Sequence, residues 1–126
     1  MRLRQVAQHV DDLARAVTFY QSTLGLRHIA TFEPPGLAFF DLDGTRLLLE
    51  RGASPALLYL DSEDIDARVQ SLRDAGVEIV TEPHMIFRDD DGTFGDPGVE
   101  EWMAFFRDSE TNLVGLVERR PSTTPR

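Results

Sequence analysis

Apolar side chains in the first half of the chain repeat first with the period of a strand and then with the period of a helix. Residues 3–10 alternate between inward and outward positions, which is typical of a half-buried strand. Asp11 or Asp12 can then cap a helix that ends at Gly25, because glycine accepts the left-handed backbone that stops a helix. Further strands are predicted at 27–33, 36–42 and 45–51, with Asp43-Gly44 as a tight turn between the last two.

The second half shows the same order of patterns. A strand is predicted at 56–60, and Ser62 is a candidate cap for a helix that ends at Gly76. The buried stripe of this helix is predicted to be Ile65, Val69 and Leu72. The remaining strands are predicted at about 77–81, 102–107 and 113–118.

The two halves also repeat each other in residue type. The segment that starts at Asp12 and contains Leu24-Gly25-Leu26 is similar to a second-half segment that starts at Asp64 and contains Ala75-Gly76-Val77. Phe39-Phe40 is answered by Phe105-Phe106. These repeats predict an α+β fold of two tandem βαβββ units, at about 3–51 and 56–118, in one domain that spans 1–118.

One segment breaks the symmetry between the halves. The connection at 84–101 is longer than its counterpart and holds several glycines and acidic residues. Long connections in compact domains are often binding loops or lids, so we expect either a lid over a cavity or a solvated excursion. Residues 119–126 lack periodicity and are predicted to form a flexible tail.

Composition narrows the classes of function. The chain has 22 acidic and 13 basic residues and a net charge of -9, which disfavours binding to nucleic acid or to an anionic membrane. It has no cysteine, so thiol chemistry and disulfides are excluded. Its apolar runs are too short to span a bilayer. We therefore expect a cytoplasmic protein with no nucleic-acid or membrane partner.

Two segments carry a resemblance to a known family. The first is Asp-Leu-x-x-Ala-x-x-Phe-Tyr-x-x-x-Leu-Gly-Leu, from Asp12 to Leu26, and the second runs from Phe105 through Asn112-Leu113. Over residues 3–118 the chain resembles the vicinal oxygen chelate superfamily, which includes glyoxalase I, extradiol dioxygenases, fosfomycin-modifying enzymes and bleomycin-resistance proteins. The resemblance implies a glyoxalase-like fold with a cupped mixed sheet, and we expect a homodimer.

The resemblance also implies where a metal ion would bind. Metal-using members supply one His, Gln or Glu from each of four strands, because a divalent cation needs several convergent N or O donors. The matching positions here are Gln5, Leu48 (or Leu49), Leu57 and Gly115. Only glutamine among them is a donor, so we expect the family's usual metal centre to be absent and no cofactor to be bound.

A displaced metal site is the alternative. His9 shares a strand face with Gln5, and Glu50 shares one with Leu48. With His84 they would form a two-histidine, one-carboxylate set of the kind that binds iron, zinc or manganese. The structural alternatives are a strand-end His9 satisfied by Asp11, Asp12 or solvent, and a solvated Glu50. Glu118 is predicted to be a surface charge that points away from the cup.

The first functional hypothesis is a protein of the bleomycin-resistance kind that binds a small, partly apolar molecule without a metal ion. Its predicted anchors are Gln5, His9, Glu50, His84 and Trp102. His84 is also the candidate catalytic residue, since a histidine at a cavity rim can act as general acid or base. The alternatives are a metal-dependent lyase, isomerase or dioxygenase that uses the displaced site, and an interaction module without a ligand.

Overall fold

The computed structural model describes residues 1–121, which form two compact units. The first unit contains residues 1–57 together with 108–112, and the second contains residues 58–107 and 113–121. Each unit has one helical segment packed on one four-stranded sheet. The α+β prediction of two βαβββ repeats is therefore confirmed.

The elements of the first unit are β1 Gln5–His9, α1 Leu13–Thr18, a π-helical turn Phe19–Thr23, β2 Arg27–Phe32, β3 Leu37–Leu42 and β4 Thr45–Glu50. The sheet has the order β1-β4-β3-β2, with β1 and β4 parallel. The helix α1 begins after Asp12, whose carboxylate accepts a hydrogen bond from the Arg15 amide at 3.0 Å. The π-helical turn continues it, and Tyr20 in this turn packs on Phe40 with 6.1 Å between ring centroids.

The elements of the second unit are β5 Leu58–Asp61, α2 Ile65–Asp74, β6 Ile79–Asp89, β7 Val99–Arg107 and β8 Leu113–Pro121. They repeat the plan of the first unit in the order β5-β8-β7-β6, with β5 and β8 parallel. The cap of α2 is Asp64, which accepts from the Ala67 amide at 3.1 Å, so the prediction of Ser62 as the cap is wrong. The predicted stripe of Ile65, Val69 and Leu72 is buried, as expected.

The glycines that were predicted to end the helices adopt the left-handed conformation. Gly25 has φ 72° and Gly76 has φ 84°. The predicted turn between β3 and β4 is also confirmed, since Asp43 and Gly44 have φ values of 53° and 101°.

The predicted connection at 84–101 is wrong in its bounds, because most of it belongs to a long hairpin. β6 continues to Asp89 and β7 begins at Val99, so the turn occupies only 90–98. Three register shifts interrupt the pairing of β6 with β7, which hides the strand period in the sequence. The buried Asp89 side chain closes the turn by accepting hydrogen bonds from the amides of Thr93 (2.8 Å) and Phe94 (2.9 Å).

The predicted tail at 119–126 is also wrong at its start, because β8 extends through Pro121. Arg119 lies 3.3 Å from Asp89 and 3.5 Å from Glu101, so ion pairs hold the end of the strand in the sheet. The rest of the predicted tail, 122–126, lies outside the described residues.

Candidate functional site

Each sheet has one face that packs on its own helix and one face that points away from it. We call the second kind of face a far face. In the first sheet, strand alternation and register place Gln5, Ala7, Phe39, Arg46 and Leu48 on the far face, with Ala30 and Phe32 beside them on β2. Their sequence neighbours Phe40, Leu47 and Leu49 are fully buried on the helix side.

A cationic and aromatic cluster occupies the far face of the first sheet. The Arg46 Nε donates a hydrogen bond to Gln5 Oε1 at 3.0 Å, and the Arg46 Cζ lies 5.8 Å from the centre of the Phe39 ring. Phe39 in turn contacts Phe32, with 6.0 Å between ring centroids. Leu48 lies between Ala7 and Phe39 in the register and is 8% exposed. The cluster combines an apolar floor with one guanidinium group.

The far face of the second sheet has an aromatic pair over a glycine. Tyr59, Gly115 and Phe105 lie side by side in the register, and the Tyr59 and Phe105 rings meet edge to face at 5.9 Å. A Cβ atom on Gly115 would come within 2.8 Å of Tyr59 Cδ1. The rings therefore pack directly on the backbone of β8, and Tyr59 remains 51% exposed.

His84 lies on β6, where it pairs with Met103 on this second far face. The side chain is exposed, and its Nδ1 lies 3.0 Å from the Glu82 carbonyl oxygen. Within residues 1–121, Nε2 has no hydrogen-bonding partner, so it is available to a ligand.

Trp102 lies on the opposite face of the same sheet from His84, because it precedes Met103 on β7. Arg120 stacks on the Trp102 ring at 4.1 Å, and the indole Nε1 donates to Glu100 Oε1 at 3.0 Å. These contacts favour a packing role for Trp102. The predicted anchors His84 and Trp102 therefore lie on opposite faces of this sheet and not on one surface.

Glu118 pairs with Trp102 in the register and lies with it on the helix side of the second sheet, so it points away from the far face. The prediction that it is a surface charge is wrong, since it is only 8% exposed. Its Oε1 accepts from the Ile65 amide at 2.8 Å and its Oε2 from Arg120 Nε at 2.7 Å. Glu118 thus satisfies the first turn of α2.

His9 and Glu50 are adjacent in the parallel register of β1 and β4, as the displaced metal site requires. However, His9 Nδ1 lies 2.8 Å from the Arg51 carbonyl oxygen and 3.1 Å from that of Ala53, while Nε2 lies 2.9 Å from Asp11 Oδ1. The hydrogen bond with Asp11 raises the pKa of His9 above its ordinary value of 6.5. Both ring nitrogens therefore act best as donors, which removes the lone pair that a metal ion needs.

Comparison with known proteins identifies the family. The model of the Glyoxalase/Bleomycin resistance protein/Dioxygenase superfamily matches residues 2–114. The chain belongs to this superfamily. A search of curated proteins gives no match.

Solved structures share the superfamily fold at low sequence identity. A superfamily member from Sphaerobacter thermophilus DSM 20745 is 23% identical with a TM-score of 0.70, covering 94% of this chain and 97% of that one. Lactoylglutathione lyase from Agrobacterium tumefaciens is 20% identical with a TM-score of 0.66, covering 93% and 92%. TnmS3, an antibiotic binding protein from Streptomyces sp. CB03234, is 24% identical with a TM-score of 0.69, covering 97% of each chain.

The residues at the superfamily's metal positions do not fit a divalent cation. Gln5 Oε1 already accepts a hydrogen bond from the cationic Arg46 side chain, which would repel a metal ion at that oxygen. Leu48 and Leu57 have no donor atom, and Gly115 has no side chain. Across residues 1–121, no group of three or more His, Asp or Glu side chains is arranged to hold a metal ion.

Sequence reasoning missed the residue that dominates the first far face. Arg46 lies two positions before Leu48 on the same strand, so strand alternation alone places both on one face. The missing information was the register of β1 with β4, which pairs Gln5 with Arg46.

No helix in the described part of the chain is long and apolar enough to cross a membrane.

Proposed function

We propose that this superfamily member binds a small, partly apolar molecule on the far faces of its sheets and does so without the superfamily's metal ion. The observation that carries the proposal is the hydrogen bond from Arg46 to Gln5, at the one metal position that retains a donor. A guanidinium group already uses the amide oxygen that a metal ion would need. Leu48 beside it offers only apolar contact.

The composition of the far faces supports a ligand of this kind. Small-molecule sites are mostly apolar and aromatic, with a few polar groups that fix orientation. Phe39 and Phe32 provide such a surface in the first sheet, and Tyr59 and Phe105 provide one in the second. His84 stays the candidate acid or base, and the homodimer stays a prediction.

The displaced metal site is the weaker alternative. It depends on His9 as a ligand, and three acceptor oxygens surround that imidazole. Moving His9 to a metal ion would leave Asp11 and two backbone carbonyls without their shared donor.

Metal analysis of protein purified without an affinity tag tests the first half of the proposal. We expect less than roughly a tenth of an equivalent of iron, zinc or manganese per chain. A complete metal site would retain its ion through purification and would give close to one equivalent. A near-stoichiometric metal content that disappears in His9→Ala would overturn the proposal in favour of the displaced site.

A ligand screen tests the second half. Planar aromatic molecules at about 1 mM should include binders that raise the melting temperature, since a ligand that binds only the native state stabilises it. The affinity of such a binder should fall roughly tenfold, about 1.4 kcal/mol, in Phe39→Leu. Phe94→Leu is the matched control, because Phe94 is 68% exposed in the turn after β6. Absence of any binder would contradict the proposal.

A further inference from the structure

Resting on the proposed function, we propose that the ligand is an anion: an apolar ring or chain bearing a carboxylate or another oxyanion, whose charged group binds Arg46. Arg46 lies on the far face of the first sheet, where its guanidinium has few partners and keeps free hydrogen-bond donors.

Arg46 is a cation without an acidic partner. Among the described residues, no carboxylate lies within 4.0 Å of its guanidinium nitrogens. Asp41 pairs with Arg46 in the backbone register, yet its side chain lies 3.6 Å from Arg27 instead. The contacts of Arg46 are thus with a neutral amide and an aromatic ring. Asp41, opposite it on the same face, already accepts a hydrogen bond from the Gly44 amide and pairs with Arg27. In a chain of net charge -9, a cation without its own ion pair is a specific place for an anion.

Gln5 fixes the orientation of Arg46. The hydrogen bond to Gln5 Oε1 uses only Nε of the guanidinium group. The two terminal nitrogens keep their planar pair of N–H donors, and this pair matches the two oxygens of a carboxylate. Gln5 is therefore a positioning residue that leaves the binding edge of Arg46 free.

The surface next to Arg46 suits the apolar part of the same molecule. Phe39, under the guanidinium, is flanked in the register by Leu48 on β4 and Ala30 on β2. Ala7 and Ala30, which flank Leu48 and Phe39 in the register, have small side chains. A ring that lay on this floor would exclude water from the ion pair and strengthen it.

A groove elsewhere in the first unit is the rival site. It has a volume of about 500 Å³ and is lined by Leu13, Val17 and Arg51 together with the acidic Asp12 and Glu33. A substitution of Arg51 in this groove is the matched control for Arg46, because Arg51 is also a guanidinium group near apolar residues. The two carboxylates in the groove disfavour an anion there.

Calorimetric titration with 2-naphthoate and with neutral 2-naphthamide, both in the presence of EDTA, tests the inference. These probes share a ring system and differ in charge, and EDTA removes any metal that could bridge to the carboxylate. We expect the wild-type protein to bind 2-naphthoate at least about tenfold more tightly than 2-naphthamide, because charge-assisted bidentate pairs are strong. Arg46→Gln should reduce this preference to less than about twofold, whereas Arg51→Gln, which also removes one positive charge, should retain it.

A second variant leaves Arg46 in place. Gln5→Glu puts a carboxylate against the guanidinium, so it should weaken 2-naphthoate about tenfold and leave 2-naphthamide within about twofold. Circular dichroism of each variant confirms that it is folded.

The outcomes separate this inference from the proposed function. Equal affinity of the wild-type protein for both probes would overturn the anion inference and leave the proposed function standing. A preference lost in Arg51→Gln and kept in Arg46→Gln would move the site to the groove and overturn it as well. Failure of both probes and of the whole aromatic screen to bind would overturn both proposals.

Discussion

His9 at the end of β1 serves three acceptor oxygens with two ring nitrogens. The carbonyls of Arg51 and Ala53 face Nδ1, and Asp11 faces Nε2. A neutral imidazole has only one N–H, so it can satisfy only one side of this arrangement. The imidazolium form satisfies both, which is why Asp11 and the carbonyls raise the pKa of His9.

We predict that His9 makes the stability of the protein depend on pH near neutrality. Its pKa is higher in the folded state than the ordinary 6.5, so the folded state binds the proton more tightly. The stabilisation is then fully present below about pH 6.5 and is lost as the pH rises through the raised folded pKa. Urea unfolding between about pH 5.5 and 8.5 should show that the difference between wild type and His9→Gln grows towards low pH.

His84→Gln is the control for this titration, since it removes an exposed imidazole whose Nδ1 faces one backbone carbonyl. An NMR titration of the His9 ring reports its pKa directly. A value at or below 6.5, or a His9→Gln difference that does not change with pH, would show that the ring is not held as the imidazolium.

Residue contacts were predictable from the sequence when the partners are close along the chain. The pairing of His9 with Asp11 was one of the structural alternatives that the sequence offered, because the two residues are two positions apart. Glu110 was not predicted, although its carboxylate accepts from the Asp11 and Asp12 amides at 2.9 and 2.7 Å. Those partners are 99 and 98 positions away in the sequence, so only the fold brings them together.

At the scale of elements, Gly115 sets how closely β5 and β7 side chains cover β8. Glycine within a strand usually weakens the strand by roughly 0.5–1 kcal/mol relative to alanine. Gly115 has no left-handed φ that would require glycine, so its neighbours decide the sign. A Cβ atom there would lie 2.8 Å from Tyr59 Cδ1 and 3.0 Å from Phe105 Cε1.

We therefore predict that Gly115→Ala lowers the free energy of unfolding by about 1–3 kcal/mol, as overpacking does. Urea unfolding measures the change. Removing the ring in the double variant Gly115→Ala/Tyr59→Ala should relieve part of the loss, which a double-mutant cycle detects as coupling.

Gly52→Ala is the matched control, because Gly52 also lacks a left-handed φ and, apart from its two chain neighbours, no residue comes within 4 Å of the position that its Cβ would take. This control should be neutral or slightly stabilising. If Gly115→Ala behaved like Gly52→Ala, the aromatic pair would not pack tightly on β8.

Element boundaries followed from the sequence where one local signal determines them. Gly25 and Gly76 ended the helices as predicted because each adopts a positive φ at the stop. The extent of β6 did not follow, because its bulges interrupt the alternation of apolar and polar residues. Asp89 resembled a loop residue in the sequence. In the structure its buried carboxylate accepts hydrogen bonds from two amides of the turn between β6 and β7, so both strands extend to this turn.

At the scale of the whole molecule, the duplication in sequence does not coincide with a simple cut of the chain. Residues 108–112, which connect β7 to β8, belong to the first unit. The buried Tyr20 hydroxyl donates to Asp108 Oδ2 at 2.6 Å, and Asn112 Nδ2 donates to the His9 carbonyl at 2.8 Å. The first repeat is therefore completed by a segment from the second half of the sequence.

Glu110 shows how much this segment contributes to the first unit. Burial opposes ionisation of its carboxylate, but hydrogen bonds from Arg15, the Asp12 amide, Ser109 and the Asp11 amide outweigh it and lower the pKa to about 2. The carboxylate is thus charged at neutral pH, and it supplies acceptors for the chain that enters α1.

We predict that residues 1–57 alone do not fold cooperatively, although they contain a complete βαβββ repeat. Without 108–112, the phenol of Tyr20 loses its buried acceptor at a cost of roughly 1–3 kcal/mol, and the amides of Asp11 and Asp12 lose theirs. A unit of this size is only marginally stable, so the loss of these hydrogen bonds is enough to unfold it.

Urea unfolding and proton NMR of the fragment should show no cooperative transition and little chemical-shift dispersion. Fusing 108–112 to residue 57 through a flexible linker should restore part of both, because it returns the missing acceptors. A dispersed spectrum and a cooperative transition for 1–57 alone would show that the repeat is autonomous and that the crossing segment is dispensable.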